Sequence, residues 1–183
     1  SGGSAVTASG GNVNLNADNN ATISATATAT SVSSAGALPG SVSVSVGGLF
    51  VANSLLGGVN AYIDGSSVKT IGSGDILLNA NDTSGIDATT QISTQTATGT
   101  PSLFQLNGAT GVSIALNVIG WQINNLGLAT IDALLGTQVG DTEVPFQVDA
   151  YIKNATISSA GALTLSADTA QVVNATVSNT ASS

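Results

Sequence analysis

Small polar and apolar residues alternate one for one along much of the chain, as in Ser41-Val42-Ser43-Val44-Ser45-Val46 and Gly111-Val112-Ser113-Ile114-Ala115-Leu116-Asn117-Val118-Ile119. A period of two sends successive side chains to opposite faces of a strand, so each run predicts a strand whose branched apolar face is buried. Both runs lead to a similar closing phrase, Asn60-Ala61-Tyr62-Ile63-Asp64 in one case and Asp149-Ala150-Tyr151-Ile152-Lys153 in the other. Further strands are predicted over Asp75 to Ala80, Ile86 to Ile92 and Val172 to Val177. No amphipathic helix separates them, which excludes a βαβ arrangement.

One phrase returns three times. Ala5-Val6-Thr7-Ala8-Ser9-Gly10-Gly11-Asn12-Val13-Asn14-Leu15-Asn16-Ala17 reappears from Ser67 to Ala80 and again from Thr156 to Ala167, each time as strand, glycine turn, strand. The repeats cover about 5–30, 41–98 and 111–180. Repetition of short strands implies units that stack and bury one another's inward faces, because no single unit buries enough to fold alone. The expected fold is therefore all-β, a parallel β-helix over residues 5–183, with residues 1–4 as a linker. With roughly 20 to 25 residues per coil and about 4.8 Å between strands, some seven or eight coils are expected, a rod about 35 to 40 Å long. Rows of Asn, Ser and Thr are expected to ladder in register, and the uncapped terminal repeats to stack end to end.

The repeats differ at 121–147. The first crosses from Asn53 to Asn60 through Ser54-Leu55-Leu56-Gly57-Gly58-Val59, whereas the second inserts Leu126 to Gly136 and an acidic loop up to Pro145. Apolar residues at helical spacing from Ala129 to Leu135, with Gly136 as a stop, predict a short inserted helix or loop there. Insertions on one flank of a stacked architecture are where specialised contacts concentrate.

Composition narrows function more than fold. Only 7% of the 183 residues are charged, 42% are hydrophobic and 22 are glycine. Two lysines, Lys69 and Lys153, stand against ten acidic residues, for a net charge of -8. Phosphate backbones and anionic membrane surfaces are bound through Lys and Arg, so nucleic acid is not an expected partner. Membrane insertion is not expected either, because Asn117, Gln122, Asn124 and Asn125 interrupt the most apolar stretch. Cysteine is absent, which removes disulfides and thiolate metal sites.

With these residues in view, the chain resembles the giant repetitive bacterial surface proteins of the filamentous-haemagglutinin and leukotoxin-like filamentous adhesin type. The resemblance runs through Ser113 to Ile119, Ala150-Tyr151-Ile152-Lys153-Asn154-Ala155-Thr156-Ile157 and Ala160-Gly161-Ala162-Leu163-Thr164-Leu165-Ser166-Ala167. Gly47-Gly48-Leu49-Phe50 departs from the family pattern, which has Asn-Val-Ile at that place. The resemblance implies a right-handed parallel β-helix in an exported protein, extracellular or at the bacterial cell surface. It implies attachment or spacing as the task, with other segments of the same giant protein and a surface glycan or protein receptor as partners. It brings no catalytic residue.

Without His or Cys, a nucleophile has only lysine or a carboxylate as its base, and Lys69 and Lys153 read as solvated. β-Helical polysaccharide lyases use a basic residue to take the proton and cations to neutralise the substrate carboxylate, a poor match to a chain with no Arg and two separated lysines. Glycoside hydrolysis needs two carboxylates at a defined separation, for which Asp132, Asp141, Glu143 and Asp149 are available. The alternative to a rod is thus a carbohydrate-binding or polysaccharide-degrading β-helix with its site at 121–147, Trp121 and Asp132 being the ligand-binding candidates.

No cofactor is expected apart from a structural calcium. Asp141 and Glu143 lie on one face if extended and offer the oxygen ligands it takes. Gly72-Ser73-Gly74-Asp75 resembles a fragment of a calcium-binding nonapeptide but occurs once, whereas that motif works in tandem. Thr26-Ala27-Thr28-Ala29-Thr30 and Thr94-Gln95-Thr96-Ala97-Thr98 read as outward strand residues. Tyr62 and Tyr151, at equivalent repeat positions, read as packing residues.

Overall fold

Neighbouring strands come from far apart in the sequence, as the repeats require. The computed structural model describes residues 3–35, 42–98, 106–123, 136 and 141–182. They form fifteen strands: β1 (Ala5–Ala8), β2 (Val13–Asn19), β3 (Thr22–Ala35), β4 (Val42–Leu55), β5 (Gly58–Asp64), β6 (Ser67–Thr70), β7 (Ile76–Asp82), β8 (Gly85–Thr98), β9 (Leu106–Ile119), β10 (Trp121–Ile123), β11 (Asp141–Glu143), β12 (Gln147–Lys153), β13 (Thr156–Ser158), β14 (Leu163–Thr169) and β15 (Val172–Ser182). Among the described residues there is no helix. The helix expected over 129–135 lies outside them.

Five of the sheets are parallel, in the orders β1-β6-β13, β2-β7-β14, β3-β8-β15, β4-β9 and β5-β12. The chain visits these positions in the same order on each passage, so every repeat lies beside its own copy. Register follows the repeated phrase residue for residue: Val6 pairs with Val68, Leu15 with Leu78, and Leu165 with Leu78 from the other side.

One passage is much longer than expected. Hydrogen-bonded side chains on neighbouring passages lie 63 residues apart for Asn19 and Asp82, 64 for Asn53 and Asn117, and 89 for Gln171 and Asp82. Coils of 20 to 25 residues, and with them seven or eight coils, are therefore corrected: among the described residues no sheet is deeper than three strands. The reason is that β3, β4, β8 and β9 each run 14 residues without a turn.

The core has two parts. In one, Val59, Ala61 and Ile63 of β5, Val68 of β6, and Ile76, Leu78 and Ala80 of β7 form a buried cluster. Val13 and Leu15 of β2 and Val148 and Ile152 of β12 pack against it. Full burial of a side chain such as Ile76 or Leu78 is worth roughly 1.5 to 3 kcal/mol, and both are completely buried because β7 has a neighbour on each side.

In the other part, the long strands of β3-β8-β15 pack against those of β4-β9. Here the expected polarity of the alternating run is reversed. Ser43 and Ser45 are buried, whereas Val44 and Val46 are 58% and 67% exposed. Space explains it: a Cβ on Gly47 would sit 2.9 Å from Thr94 Cγ2, and one on Gly111 would sit 2.9 Å from Ile92 Cγ2. Opposite Ile92 and Thr94 there is room only for small residues, and nearby serine hydroxyls pair across the gap. Ser33 and Ser43 Oγ are 2.9 Å apart, and Ser45 Oγ donates to the Ser31 carbonyl at 2.9 Å.

The threonine runs also separate. Thr26, Thr28 and Thr30 face outward as expected, but Thr94 and Thr96 are buried. Thr26 pairs with Thr89, not with Thr94, so the second run sits an odd number of positions further along and turns its other face to the core.

Candidate functional site

The flank that sequence singled out is built on a break in the parallel order. Gly120 has a φ of 76°, a left-handed conformation that lets the chain turn out of β9. Its N–H donates to the Leu55 carbonyl at 2.9 Å, and its carbonyl accepts from Val144 N–H at 2.8 Å. Between these anchors β10 and β11 pair antiparallel, Trp121 opposite Glu143, Gln122 opposite Thr142 and Ile123 opposite Asp141. Ser54 Oγ donates to the Trp121 carbonyl at 2.5 Å and ties the ribbon to β4.

Three of the four candidate site residues thus meet on one ribbon. Trp121 is half-buried and Glu143 exposed, and Asp141 and Glu143 are two apart on one strand, as inferred from spacing. Asp132 lies outside the described residues. Asp149 belongs to a different element, β12, where it pairs with Asn60. Among the described residues no group of three or more acidic, His or Cys side chains comes together.

Other acidic side chains are engaged in structure. The Asp75 Oδ1 accepts from the Ala162 N–H at 2.7 Å, and its own N–H donates to Asn12 Oδ1 at 2.9 Å. Asp75 therefore ties its turn to both neighbouring turns, through its carboxylate on one side and its backbone N–H on the other. Asp82 is fully buried and accepts from Asn19 Nδ2 at 2.8 Å, Gln171 Nε2 at 2.6 Å, Ser84 Oγ at 3.0 Å and Ser84 N–H at 3.4 Å. Donors from all three passages converge on this one carboxylate. Lys69 and Lys153 are exposed.

The tyrosines hold a role that sequence reading described only in part. Tyr62 and Tyr151 pack on each other, rings 5.2 Å apart and 7° from parallel, but they do so on the outer surface, 51% and 37% exposed. Their neighbours in the alternation, Ala61 and Ile63, take the inward positions. The signal lay in Asn-Ala-Tyr-Ile-Asp itself, where Tyr shares a parity with Asn60 and Asp64. Among the described residues β5 has no strand partner on its other side, and Tyr62 lines an opening of about 350 Å³ there with Asn14, Asn16 and Asn60. An aromatic face ringed by amides can stack on a flat apolar ligand surface and hydrogen-bond its rim.

No protein-family model, no curated protein and no solved structure matches the chain.

Proposed function

We propose that this chain is a rod-like spacer or attachment module, a right-handed parallel β-helix within a large exported bacterial surface protein of the filamentous-haemagglutinin-like type, acting without catalysis. The observation that carries the reading is the residue-for-residue parallel stacking of the repeats, Ala150-Tyr151-Ile152 on Ala61-Tyr62-Ile63 and Ala167 and Ala17 on either side of Ala80. Such stacking makes an elongating surface whose outward positions vary freely while the inward rows stay fixed. Solubility comes from outward hydroxyls and amides, which suits a module that presents surface to many environments. An antibody against the chain should label intact, unpermeabilised source cells, and beads coated with the chain should adhere to host surfaces or stand off from them as spacers. Labelling only after lysis overturns the exported reading.

A second reading, glycan binding, is favoured by the uncovered Tyr62 face and by Trp121 standing opposite Glu143. A glycan array probed with the wild type, Tyr62→Ala and Trp121→Ala separates the two. Binding that either variant abolishes assigns a ligand site; binding that neither changes argues against both positions.

A further inference from the structure

The two sheets of long strands turn unlike faces outward. On β3 the outward residues Thr26, Thr28 and Thr30 are hydroxylated, and their partners on β8 are Thr89, Gln91 and Ser93. On β4 and β9 the outward rows read Val44 beside Gly108, Val46 beside Thr110, Gly48 beside Val112 and Phe50 beside Ile114. Val44, Val46 and Val112 are all more than half exposed. Their exposure does not come from an open edge, because side chains stand perpendicular to the sheet and a strand added beside β4 or β9 would widen this face without covering it. Among the described residues β4-β9 is also the only sheet with no charged side chain, in a chain of net charge -8.

Two glycines on this face answer to nothing within the chain. Gly47 and Gly111 face inward and are kept small by Ile92 and Thr94. Gly48 and Gly108 face outward, a Cβ on either meets nothing within 4 Å, and neither has a positive φ. Glycine weakens a strand interior by its entropy and its missing side chain, and it marks places where another surface approaches closely.

We propose that this face docks on the same face of a second copy, about a two-fold axis running along the strands between β4 and β9. In that arrangement β4 of one copy lies over β9 of the other, so Val44 sits over Gly108 of the second copy and Val112 over its Gly48. Each protruding valine meets a dip, and the match is mutual, as an isologous contact requires. A second copy fits better than an unrelated chain because valines and glycines lie on one face and correspond row by row. Charge agrees: two copies of net charge -8 repel, and on this sheet they meet with no carboxylate facing another. Strands of 14 residues, two abreast, give a face of at most roughly 45 Å by 10 Å, or about 900 Å² for the pair, under the roughly 1,200 Å² of a standard interface. The association is therefore weak, and salt that screens the net charge strengthens it. It needs only the geometry of this face and stands whether or not the chain is exported.

Sedimentation equilibrium of the full chain at concentrations up to about 1 mM, in about 10 mM and about 300 mM sodium chloride, tests this. The expected result is a concentration-dependent dimer that is tighter at the higher salt. Val46→Lys places a charge in the contact and should abolish the dimer while circular dichroism shows the fold retained. Gly48→Val fills a dip and should weaken the dimer by about tenfold or more, with the melting temperature of the dilute monomer no lower than before. Association that neither variant alters overturns the proposal, because it runs through another surface. A strict monomer at every concentration and salt overturns it too, even where an apolar dye binds the wild type and not Val46→Lys, since that result assigns the valines to a partner of another kind.

Discussion

Single buried polar atoms show how little slack the interior has. Asp82 gathers donors from Asn19, Ser84 and Gln171, so its carboxylate is a pin through three passages of chain. Asp82→Ala removes the acceptor and leaves buried amide donors unpaired; it should cost about 3 kcal/mol, read from urea unfolding. Thr90 presents the opposite case. Its side chain is fully buried and its Oγ1 has no hydrogen-bond partner among the described residues. Valine matches threonine in shape and carries no hydroxyl to desolvate, so Thr90→Val should raise stability by about 1 kcal/mol. A loss of stability in that variant would mean the hydroxyl is paired after all.

Packing between elements turns on the two glycines that let the long sheets approach. Gly111→Val puts branched carbons into space already filled by Ile92 and Thr94, and forcing the sheets apart should cost about 1 to 3 kcal/mol in a thermal melt monitored by circular dichroism. Gly48→Ala is the control: a Cβ there meets nothing within 4 Å, and the melting temperature should hardly move. This close approach was the least legible part of the sequence. The alternation of Ser and Val announced a strand with two unlike faces, but which face turns inward depends on the partner sheet, and a partner lined by Ser31, Ser33 and Thr94 selects serine over valine. The threefold phrase was legible to the residue, since strand, glycine turn and strand stack in the register that the repeats imply. The length of a passage was hidden because runs such as Thr22 to Ala35 hold no Gly or Pro to show where a strand continues or ends. At the inserted flank, spacing alone placed Asp141 and Glu143 two apart on one strand, while the pairing of Trp121 with Glu143 required the turn at Gly120.

At the scale of the whole molecule, stability should vary by layer. Strands β7 and β8 have parallel neighbours on both sides, so their amides and carbonyls are paired in both directions and their inward side chains, Ile76, Leu78, Ile86 and Ile92, are dry. Among the described residues, strands β1, β2 and β3 on one side and β13, β14 and β15 on the other have one neighbour each. Stripping an outer strand costs one ladder and a half-wet apolar row, whereas exposing β7 or β8 requires an outer layer to leave first. Opening free energy therefore rises from the ends to the middle, as in other arrays whose units contact only their neighbours. Native-state hydrogen exchange should find the amides of Ile76–Asp82 and Gly85–Thr98 slower than those of Val172–Ser182 by about tenfold or more. A uniform rate in every layer would instead mean that the chain opens as one unit, and the ends would then be no weaker than the middle.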